Sequence, residues 1–86
     1  MSSQEEKLQQ VADIMARVAE DMSVPRNIRR AAKEARNSLL KGEDDPVVKA
    51  DSAISILNDI SDDPNMPVHA RTTIWNAFSV LETVKE

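Results

Sequence analysis

The stretch "PRNIRRAAKEAR", residues 25–36, places five cations in a chain whose net charge is −4. At ~100° per residue, Arg26, Arg29, Arg30, Lys33 and Arg36 span roughly a third of a helix circumference, with Ile28, Ala31, Ala32 and Ala35 opposite. Such a stripe can neutralise phosphates, or it can stand as a solvated face balanced by nearby acids. The composition favours the second: no aromatic residue interleaves for base stacking, and no asparagine or glutamine cluster reads base edges. His69 is the sole histidine and has neither a sequence-evident nucleophile nor a spaced ligand, so it reads as an exposed surface residue. "DISDDPN", residues 59–65, has the acids of a calcium loop but lacks its central glycine and terminal glutamate. Helix capping explains those acids more simply. With no cysteine there is no thiol catalysis, iron–sulfur cluster or cysteine-ligated zinc. No catalytic, cofactor-binding or metal residues are assigned, and the expectation is a protein that is not an enzyme.

Periodicity defines the elements that carry these residues. Leu8, Val11, Ala12, Met15, Val18, Ala19 and Met22 recur at helical steps and predict a helix from about Gln4 to Met22. Ile28, Ala31, Ala32, Ala35 and Leu39 predict a second helix ending near Lys41, stopped by Gly42. Asp45-Pro46 is an N-cap acceptor followed by proline at the first helical position. It opens a third helix through Val47, Ala50, Ala53, Ile54, Leu57 and Ile60 to about Ser61. Ile74, Ala77, Phe78, Leu81 and Val84 mark a fourth, from about Met66 to Val84. A single glycine, two aromatics and no tyrosine agree with an all-α fold. Short links make neighbouring helices antiparallel, giving one domain of two hairpins, residues 4–41 and 46–84.

The hairpins resemble each other. A shift of forty-two residues superposes Lys7 on Lys49, Ile14 on Ile56, Asp21 on Asp63, Pro25 on Pro67, Arg29 on Arg71, Ala35 on Ala77 and Leu39 on Leu81. Each unit reads as a helix, an acidic end, a proline corner and a second helix with arginine four residues after the proline. Arg29 and Arg71 are therefore expected to be structural, each tied to its acidic end, Asp21 or Asp63, by charge-assisted hydrogen bonds. Arg26, Arg30, Lys33 and Arg36 align with Val68, Thr72, Trp75 and Phe78 and remain free to meet an anionic partner.

"PRNIRRAAKEARNSLL" and "PVHARTTIWNAFSVLE" resemble the second helix of a HEAT-type repeat, and the spacing falls in that family's range. Two units are too few for a solenoid, so a closed four-helix bundle is expected. Through "MSVPRNIRRAAKEA" and "DDPNMPVHARTTIWNAFSVLE" the chain also resembles a small archaeal family, uncharacterised protein family 0147. That resemblance implies a compact helical bundle in archaeal cytoplasm and brings no site residues with it.

Trp75 lies at the margin of the fourth helix's apolar arc, with Val68 and Val80 outside its central stripe. It is either a core residue or the anchor of an interface, where tryptophan is enriched. The expected function is a helical protein-interaction module that self-associates, with a homodimer formed through Val68, Trp75 and Val80. A nucleic-acid accessory using the basic face is the alternative. No run approaches the ~20 apolar residues of a membrane span, no signal-type leader is evident, and a cytoplasmic location is expected.

Overall fold

The computed structural model describes residues 3–41 and 45–85, and among them it forms four helices and no strand. They are α1 (Ser3–Glu20), α2 (Arg26–Leu40), α3 (Pro46–Asn58) and α4 (Val68–Leu81). The Asp45 carboxylate accepts the Val47 N–H at 2.8 Å, with Pro46 behind it at the first helical position, so α3 starts where its cap and proline place it. Gly42, the expected stop of α2, and the acids Glu43 and Asp44 lie outside the described residues. Lys41 has already left the helix in an extended conformation.

The helices are shorter than periodicity alone predicts, with the differences at the two corners and at the end of α4. α1 stops at Glu20, so Met22 no longer follows the helical phase and is 79% exposed. Val24, beyond the turn, is buried in its stead. Met66 and Val84 flank α4 rather than belonging to it, yet both are buried. Val24 and Met66 stand two residues before the helix that follows and Val84 three past the end of α4, and turn geometry, which a 3.6-residue period does not describe, brings each to the core.

Neighbours run antiparallel. Lys7 at the start of α1 donates to the Thr83 carbonyl just past the end of α4, at 3.2 Å. Gln4 likewise donates to the Lys85 carbonyl. Asn27 at the start of α2 bonds Asp63, beyond the far end of α3. The helices pack in ring order, with α1 also touching α3 across the centre, in an envelope of 35 × 19 × 17 Å.

Buried positions repeat at the forty-two-residue shift. Leu8 and Ala50, Val11 and Ala53, Met15 and Leu57, and Val24 and Met66 are buried pair by pair. So are Ile28 and Ala70, Ala32 and Ile74, Ala35 and Ala77, and Leu39 and Leu81. The hairpins still pack differently. α1 and α2 contact each other more extensively than α3 and α4 do, and Ala12 and Ala32 of the first hairpin correspond to the larger Ile54 and Ile74 of the second. Small residues at a helix contact allow closer approach. No polar or charged residue among those described is buried, so the core is wholly apolar.

Candidate functional site

The two corners are built alike. The Asp21 carboxylate accepts the Ser23 N–H at 2.9 Å, and Asp63 accepts the Asn65 N–H at 2.8 Å, each an Asx-type turn. The Val24 N–H closes on the Asp21 carbonyl as the Met66 N–H does on Asp63. Of the "DISDDPN" acids, Asp63 serves the turn and none caps α4, whose N-cap is Pro67 without a side-chain bond. No group of three or more candidate metal ligands occurs among the described residues.

Each corner is also tied to the opposite hairpin. His69 Nε2 lies 2.9 Å from Asp21 Oδ2, and Asn27 Nδ2 donates to Asp63 Oδ2 at 2.7 Å. Residues 27 and 69 are themselves related by the shift of forty-two, so the bonds form a reciprocal exchange between hairpins. A twofold relation produces such an exchange, whereas head-to-tail stacking joins neighbours one way only. Identity matching misses it because asparagine and histidine differ in name while both offer a nitrogen donor. His69 is exposed as expected, but it has a partner that its sequence position did not disclose.

These bonds hold both acids ionised. Asp21 is lowered from 3.8 to about 2 by the Ser23 hydroxyl, then the Ser23 N–H, then His69. Asp63 is lowered by the Asn27 amide, then the Asn65 N–H, with a smaller contribution from the Arg71 charge.

Ser23, His69 and Asp21 invite comparison with a hydrolase triad. The Ser23 hydroxyl donates to Asp21 Oδ1 at 2.6 Å and lies 3.3 Å from the same Nε2 that meets Asp21. A relay needs the two ring nitrogens to face different partners. Here one nitrogen faces both, so the cluster ties helices together and does not activate the serine.

The expected pairs Asp21–Arg29 and Asp63–Arg71 are corrected by the structure. Arg29 Nε donates to the Val24 carbonyl at 2.9 Å, and one terminal nitrogen lies 3.3 Å from Met22 Sδ. Arg71 donates to the Ser61 carbonyl at 2.9 Å and the Asp63 carbonyl at 3.2 Å. Both arginines are structural in position, but they bind main-chain oxygens. The corner leaves carbonyls without helical partners, and the carboxylates are already engaged by turn N–H groups and the cross-hairpin donors.

Arg26, Arg30, Lys33 and Arg36 are all exposed on α2, and none is bonded to a carboxylate among the described residues. On α4, Val68 is 79% and Trp75 58% exposed, so Trp75 is not a core residue. Val80 departs from the expected trio. Five residues from Trp75, it is rotated by roughly 140° and packs half-buried against the core. The outward strip is Val68, Thr72, Trp75 and Ser79, which is uncharged and lies directly opposite the buried Ala70, Ile74, Ala77 and Leu81.

Comparison with known proteins follows the same boundaries. A UPF0147 protein of Pyrococcus abyssi is 48% identical over 86 residues, covering 99% of this chain and all of its own. One from Saccharolobus islandicus is 52% identical over 82 residues, or 95% of this chain and 92% of that one. One from Methanothermobacter thermautotrophicus is 48% identical across 94% of this chain and 79% of its own. A crystal structure described as the unknown function protein MMP1188 superposes with a TM-score of 0.89 at 48% identity, covering 93% of this chain and 91% of that one. The matching family model spans residues 1–84, and the chain belongs to Uncharacterised protein family UPF0147.

Proposed function

We propose that this protein is a non-catalytic helical interaction module that self-associates through the outer strip of α4. One observation carries the reading. Val68 and Trp75, two turns apart, point away from the core as exposed apolar side chains, with the uncharged Thr72 and Ser79 beside them. An exposed apolar strip centred on a tryptophan is self-complementary enough to meet its own copy across a twofold axis. Burying Trp75 would also add apolar area to a domain whose own core is small. The lack of a relay at His69 supports the non-catalytic part of the reading. A cysteine-free chain suits a reducing cytoplasm, which is the location proposed. No helix among the described residues is long and apolar enough to cross a membrane.

Trp75 is the sole tryptophan and so reports its own environment. A dilution series should shift its emission to the red as the dimer separates. Emission independent of concentration, with a monomer mass throughout, would contradict the proposal.

A second reading rests on the cations of α2, none of which meets a carboxylate among the described residues. Arg26, Arg30, Lys33 and Arg36 would bind nucleic-acid phosphates, with affinity falling steeply as salt rises. Titration of duplex RNA and DNA at several salt concentrations tests it. Loss of tight, salt-sensitive binding in Lys33→Ala would put this reading first.

A further inference from the structure

Between α1 and α4 runs a cleft of about 270 Å³. The forty-two-residue relation pairs it with a groove of about 230 Å³ between α2 and α3. The two share a plan and differ in charge. Arg17, Asn76 and His69 line the first, where the second carries Asp59, Glu34 and Asn27 at the matching positions. The α2–α3 groove sets two acids, Glu34 and Asp59, against one cation, Arg30, while the α1–α4 cleft has one acid, Asp21, one cation, Arg17, and the Asn76 amide.

Inside the α1–α4 cleft the one acid is already committed. Asp21, though ionised, spends its carboxylate oxygens on Ser23 and His69 at the cleft's end, and Arg17 is the cation with its donors unspent. Arg17 and Asn76 are both exposed and make no hydrogen bond or ion pair among the described residues. Because α1 and α4 are antiparallel, Arg17 stands across from Thr73 and Asn76, one helical turn from the Asp21–His69 tie. Ile14, Val18 and Ala70 supply an apolar wall beside these polar groups. A few convergent polar groups on an apolar surface are the ordinary make-up of a small-molecule site.

We propose that the cleft binds a small organic anion with a short apolar body, its charge held by Arg17 and Asn76 and its body lying against Ile14, Val18 and Ala70. An arylcarboxylate matches both the size and the division into charged and apolar ends. The guanidinium offers a carboxylate two parallel hydrogen bonds. Val68 and Trp75 project from a different side of α4 than Thr73 and Asn76.

Amide shifts of ¹⁵N-labelled protein titrated with benzoate test the proposal, with acetate and benzyl alcohol as partial probes. The expected result is saturable shifts at Ile14, Arg17, Thr73 and Asn76, with none at Glu34, Ile56 or Asp59 in the acidic counterpart. Arg17→Gln should weaken benzoate at least about 10-fold, with Arg17→Lys between it and the parent. Acetate, lacking the body, and benzyl alcohol, lacking the charge, should each bind more weakly than benzoate. Non-saturating shifts, equal response in both grooves, or full affinity in Arg17→Gln would each overturn the assignment.

Discussion

Arg71→Ala tests the corrected corner most sharply. The side chain donates to two carbonyls, Ser61 at 2.9 Å and Asp63 at 3.2 Å, from a half-buried position. A hydrogen bond to a charged group contributes about 1.5–3 kcal/mol. Water replaces part of that when a half-buried arginine is truncated, so about 2 kcal/mol is expected for the two bonds together. At about 4–8 °C per kcal/mol for a domain of this size, the melting temperature should fall by roughly 8–16 °C. Arg29 makes one such bond, to Val24, and a weaker contact to sulfur, so Arg29→Ala should cost about 1 kcal/mol. Thermal melts measure both. A double-mutant cycle with Asp63→Asn then separates the two accounts of the corner. If Arg71 acts on carbonyls, its cost persists when the carboxylate is gone, with a coupling below about 0.5 kcal/mol. Coupling that removes most of the cost would restore the ion pair and refute the carbonyl account, as would a neutral Arg71→Ala.

Acid unfolding should show Asp21 directly. Its folded pKa of about 2 lies below its ordinary 3.8, so its stabilisation is complete above 3.8 and is lost as pH falls through about 2. Urea unfolding of Asp21→Asn across that window should show a weaker pH dependence than the parent, and identical slopes would contradict the bonding described. Asn27→Ala, which removes the cross-hairpin donor to Asp63, should cost about 1–2 kcal/mol by chemical denaturation. Arg30→Ala and Lys33→Ala should stay within about ±0.5 kcal/mol by the same measurement, as exposed substitutions do.

What the sequence reveals depends on how far each feature reaches along the chain. The four helices and the Asp45-Pro46 start follow from local spacing and cap chemistry, and both are present. Apolar periodicity misplaces Met22 because it cannot register that a helix has ended and a turn begun. Matching charges by type misassigns the arginine partners for a related reason. A sequence displays carboxylates as letters, while the carbonyls of Val24, Ser61 and Asp63 that bind Arg29 and Arg71 have no letter of their own. The His69–Asp21 tie spans 48 residues and needs the assembled bundle to exist. Its only trace in the sequence is the alignment of His69 with Asn27 at the hairpin shift. Trp75 was ambiguous because it sits at the margin of the arc. Whether that margin turns inward depends on how closely α3 packs on α4.

Self-association through α4 is the central claim, and sedimentation equilibrium on the parent chain and Trp75→Ala tests it most directly. The expected result is a parent that moves from monomer to dimer by high micromolar concentration, and a Trp75→Ala variant that stays monomeric and folded over the same range. A parent that remains monomeric at high micromolar concentration, or a variant that dimerises as well as the parent, would contradict the account.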